Sequence, residues 1–68
     1  MKYAIGFMAE NGEFFALSEY GFANGDTMTV DAPRSATIEE IKQAFADEFG
    51  IDDEFLAQCD TVRETRHI

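Results

Sequence analysis

Five carboxylates fall within eight residues of this chain, Asp47, Glu48, Asp52, Asp53 and Glu54. They are the densest set of ionisable groups it offers for chemistry. Acids at such spacing hold a hard cation, keep a surface solvated, or meet Lys and Arg on a partner. The calcium-loop pattern of Asp or Asn at alternate positions, a central Gly and a closing Glu is absent. The five lie around the predicted end of a helix, where the macrodipole disfavours negative charge. Acids placed where they oppose stability point to a contact surface, and Glu39 and Glu40 extend it. No metal or cofactor is expected.

The other reactive side chains are few. The chain has one His and one Cys. His67 is the penultimate residue, where chain ends fray, so it makes a poor general base. Cys59 stands beside Asp60, whose charge raises a thiol pKa, and is expected to be a small buried side chain. No Gly-rich phosphate loop occurs. The bases Lys2, Arg34, Lys42, Arg63 and Arg66 are scattered except for the last pair. Phe14, Phe15, Tyr20 and Phe22 lack the basic neighbours that a single-stranded nucleic-acid platform needs. An enzyme is therefore not expected, and no catalytic residue is assigned.

These residues must be carried by one small core, since 68 residues leave no room for a second domain. A hydrophobic content of 46% with seven Phe excludes a disordered acidic tail. Fourteen acids against five bases give a net charge of -9, which repels nucleic acid and anionic membranes and favours basic partners. A lone cysteine and the absence of metal-site spacing point to a reducing, cytoplasmic setting. The opening Met1 to Gly6, followed by Glu10, is too short an apolar run for a signal peptide or a membrane span.

The periodicity predicts an α+β domain. Tyr3, Ile5 and Phe7 alternate with Ala4, Gly6 and Met8, and a second strand runs from Phe14 to Tyr20 beyond an Asn11-Gly12 turn. A three-residue loop, Glu10 to Gly12, sets Phe7 opposite Phe15 and gathers the large apolar side chains on one face. Asn24-Gly25-Asp26 signals another turn, and Thr27 to Ala32 alternates with Met28 and Val30 inward. It is expected to be the third strand of an antiparallel meander, stopped by Pro33. Thr37-Ile38-Glu39-Glu40 is a capping box that opens an amphipathic helix. Its stripe is Ile38, Ile41, Ala44, Phe45 and Phe49, and Gly50 ends it with Ile51 packing back. Asp52 to Cys59 reads as a short second helix or a turn. Thr61 to His67 reads as a last edge strand.

From Thr27 to Asp53 the run TMTVDAPRSATIEEIKQAFADEFGIDD resembles the strand-to-helix segment of ubiquitin-like β-grasp domains. Thr37-Ile38-Glu39, Lys42 at mid-helix and Gly50-Ile51 carry the likeness. It implies a strand, strand, helix layout. Ubiquitin-like conjugation needs a terminal Gly-Gly, where this sequence reads Arg66-His67-Ile68, so the resemblance carries over no functional residue.

Two functions follow as expectations. One is a non-catalytic module whose acidic residues occupy a basic protein, in concrete form an inhibitor that mimics nucleic acid. In size and acidity the chain is similar to small phage-encoded inhibitors of the anti-CRISPR and anti-restriction kind. The other is a structural or accessory domain that assembles, as a homodimer or a subunit, through Phe14, Ala16, Tyr20 and Phe22 on the sheet face the helix leaves open.

Overall fold

The computed structural model describes residues 1–65. In chain order it forms β1 (Lys2–Met8), β2 (Phe14–Ser18), β3 (Gly21–Ala23), β4 (Val30–Asp31), α1 (Ile38–Phe49), α2 (Asp53–Leu56) and β5 (Thr61–Thr65). The fold is α+β. All strand pairings are antiparallel, and β3, β2 and β1 make a three-stranded meander.

The first hairpin takes the register that matches its apolar side chains, with Phe7 opposite Phe15 and Met8 opposite Phe14. The Ala9 amide donates to the Glu13 carbonyl at 2.8 Å, enclosing the loop Glu10 to Gly12. Gly12 has φ 87, the left-handed conformation such a loop requires.

The third meander strand is Gly21–Ala23 rather than Thr27 to Ala32. A tight turn at Glu19 and Tyr20 produces it. The Ser18 hydroxyl donates to the Gly21 carbonyl at 2.8 Å and accepts the Tyr20 amide at 3.3 Å, and Gly21 has φ 109. Met28 and Val30 do point inward, Val30 being 2% exposed and Met28 packing on the core. Alternation specifies a face and not a neighbour, however. The Met28 amide donates to the Leu17 carbonyl of β2 at 2.9 Å, while Val30 pairs with Tyr3 of β1. The segment therefore crosses from one strand to the other.

β1 is the hub of the sheet. Along one edge it pairs with β5 from Lys2 to Gly6. The other edge is divided between β4 at Lys2 and Tyr3 and β2 at Gly6 to Met8. At Gly6 the backbones of β1 and β2 approach so closely that a Cβ would overlap the Phe15 carbonyl oxygen and lie 2.6 Å from Cα of Ala16.

The α1 cap is complete: the Thr37 hydroxyl accepts the Glu40 amide at 3.2 Å, and the Glu40 carboxylate accepts the Thr37 amide at 3.1 Å. Gly50 closes the helix at φ 66, its amide donating to Ala46. β4 is thus followed directly by the capped helix α1. Ile41 and Phe45 of α1, with Leu56 and Cys59, bury themselves against Tyr3, Ile5, Leu17 and Val30. A chain of rings extends this core, Phe7 against Phe15 at 5.7 Å and against Phe22 at 5.0 Å, with Phe22 reaching Phe55 at 6.2 Å. The short second helix and the edge strand β5 are both present. Arg66, His67 and Ile68, including the reading of His67, lie outside the described residues.

Candidate functional site

α1 and α2 cover one face of the sheet and carry most of the charge. Residues 37–60 hold eight Asp and Glu against Lys42 alone, a net -7 within a chain of -9. Glu39, Glu40, Asp47, Glu48, Asp52, Asp53 and Glu54 are all exposed. Among the described residues none of the seven is ion-paired. Two are partly engaged: Glu40 in the cap, and Asp47, which accepts the Gln43 amide at 2.9 Å.

The helices divide these acids into two groups. Asp47 and Glu48 lie in the last turn of α1, which has no basic residue to offset them. Asp52, Asp53 and Glu54 instead begin α2, where Asp53 and Glu54 occupy the first turn. Negative charge is favoured at that end. Only Asp47 and Glu48 are therefore misplaced against a helix dipole, which narrows the expectation drawn for all five. Glu39 and Asp53 face one shallow groove between α1 and α2 that also holds Lys42. Among the described residues no three His, Cys, Asp or Glu side chains converge as a metal site.

Three of the other basic side chains are engaged elsewhere. Lys2 pairs with Asp31 at 3.6 Å, Arg34 approaches the Met1 sulfur at 3.9 Å, and the Arg63 guanidinium lies 4.8 Å above the Phe14 ring. Cys59 is buried, its Sγ donating to the Phe55 carbonyl at 3.4 Å. Burial pushes its thiol pKa up; the Lys42 ammonium opposes the shift and Asp60 adds to it. A protonated, inaccessible thiol has no nucleophilic role.

The expected aromatic sheet face is largely dismantled. Phe22 points to the helix side and packs on the core between Phe7 and Phe55. Ala16 is only 1% exposed, as is Ala4. The loop after β3 closes over this side, since Asn24, Gly25 and Thr27 border the same cavity as Ala4 and Phe14. Phe14 is half-buried under Arg63. Tyr20 remains, 95% exposed at the tip of the β2–β3 turn. Phe49, assigned to the helix stripe, is also 41% exposed. It is the last residue of α1, its ring 5.7 Å from that of Phe45, and periodicity does not reveal this exposure.

No protein-family model matches the chain, and no curated protein or solved structure matches it either.

Proposed function

We propose that this domain is a non-catalytic binding module that presents the acidic surface of α1 and α2 to a basic site on another protein. The observation that carries this reading is the charge asymmetry: a net -7 concentrated in 24 residues, its carboxylates exposed and, among the described residues, without ion pairs. Such a surface repels itself and steers a cationic partner. Proteins that grip phosphate backbones present cationic sites of this kind, so the specific form proposed is an inhibitor that fills a nucleic-acid groove. Direct binding to nucleic acid or to an anionic membrane is opposed by the same charge. Among the described residues no helix is long and apolar enough to cross a membrane. A cytoplasmic setting belongs to the proposal and is supported by the single buried thiol.

Assembly through the open sheet face has less support, because Ala16 is buried, Phe22 is half-buried and packs on the core, and Phe14 is half-buried under Arg63. The deciding experiment is affinity capture from source-cell lysate at low and high salt, followed by identification of the retained proteins. Retention of a nucleic-acid-binding protein that is lost at high salt and displaced by added DNA or RNA supports the mimic. Salt-resistant recovery of this chain alone sinks it.

A further inference from the structure

A second groove lies where the β2–β3 turn meets the α1–α2 junction. Its floor is apolar, made by Leu17, Ile51 and Phe55, and its rim carries Glu19 and Asp52 from opposite sides. Neither carboxylate has a hydrogen-bond or ionic partner among the described residues, and Asp52 makes no side-chain cap on α2. Among the described residues no basic side chain borders this groove, whereas Lys42 already supplies a cation to the groove between the helices. Two exposed aromatics flank it in sequence, Tyr20 beside Glu19 and Phe49 beside Gly50.

We infer that this groove receives a single Lys or Arg side chain from a basic partner protein. The alkyl stem lies along the Leu17, Ile51 and Phe55 floor, and the charged head reaches Glu19 and Asp52. Long cationic side chains bury their stems and keep their heads at polar rims in this way. Gly21 and Gly50 have no atom within 4 Å of a would-be Cβ, so the partner backbone can come close on either side. The acidic helical surface then serves for long-range attraction and this groove for anchoring, as central aromatic-flanked pockets do in other interfaces.

This inference rests on the proposed binding to a basic protein, and the test separates the two. The isotope-labelled full chain is titrated with the tripeptide acetyl-Gly-Arg-Gly-amide while amide shifts are followed, with the neutral citrulline peptide as control. Arginine-specific shifts at Glu19, Gly21, Gly50 and Asp52 are expected, and E19Q/D52N weakens the apparent affinity by about tenfold. E10Q/D26N, outside both the groove and the acidic helical surface, leaves it unchanged. All four residues are exposed, so an unaltered amide spectrum verifies the fold of both variants. Shifts centred on Glu39 and Asp53 overturn the groove and leave the acidic-surface reading standing. No difference between the arginine and citrulline peptides overturns the groove and counts against that reading too.

Discussion

Gly6 is the residue on which the sheet geometry turns, because two backbones meet there with no space for a side chain. Gly6→Ala is expected to destabilise the domain by about 3 kcal/mol, at the upper end for overpacking, as measured by denaturant unfolding. A change below about 0.5 kcal/mol, the usual range for surface substitutions, would show that the strands part freely. Cys59 sets a second test. Its folded pKa is raised above 9.0, chiefly by burial. The native state therefore holds the proton more tightly than the unfolded state does. The resulting stability is fully present below the ordinary thiol range and is lost as pH climbs through the raised folded value. Unfolding measured from pH 7 to 10 should show a steeper decline for the parent chain than for Cys59→Ala. Parallel profiles would remove the thiol from the pH response.

Among the elements, α1 pairs a complete N-terminal cap with an electrostatically unfavourable C-terminus. Glu48→Lys is expected to stabilise the domain by about 0.3–1 kcal/mol through the helix dipole. The same change should weaken capture of a basic partner. Opposite signs in the two assays would mark Glu48 as kept for contact, and a loss in both would make it a structural residue. α1 was legible because its signals are local: the Thr37 and Glu40 reciprocal cap, the 3.6-residue stripe and the Gly50 stop. The first hairpin was legible because only one register brings Phe7 to Phe15. β3 escaped because its turn at Glu19 and Tyr20 lacks an Asn-Gly signature and is closed by the Ser18 side chain. β4 was given the wrong neighbour because alternating residues orient side chains without naming the strand alongside. For the candidate site, exposure of the carboxylates could be read from their type, whereas the inward turn of Phe22 depended on the unrecognised strand that carries it.

Taken as a whole, the domain is electrically lopsided, its helical layer holding a net -7 and all remaining residues together -2. Repulsion within that layer opposes compaction, and salt relieves it: the screening length falls from about 10 Å at 0.1 M to about 3 Å at 1 M. Thermal unfolding of the free domain is therefore expected to shift upward with sodium chloride, while the complex with a basic partner weakens. A downward shift for the free domain would mean that attractive pairs dominate its fold. The central place of β1 has a further consequence, for the order of events in biosynthesis. Its ladder with β5 joins chain positions as far apart as Lys2 and Thr65, a separation of 63 residues. Such non-local pairing is slow to form. A nascent chain exposes the β1 edge first and gains the strand that covers it last, so folding cannot finish before Thr61–Thr65 have left the ribosome. During that interval the open edge of β1 is a template for pairing with other chains.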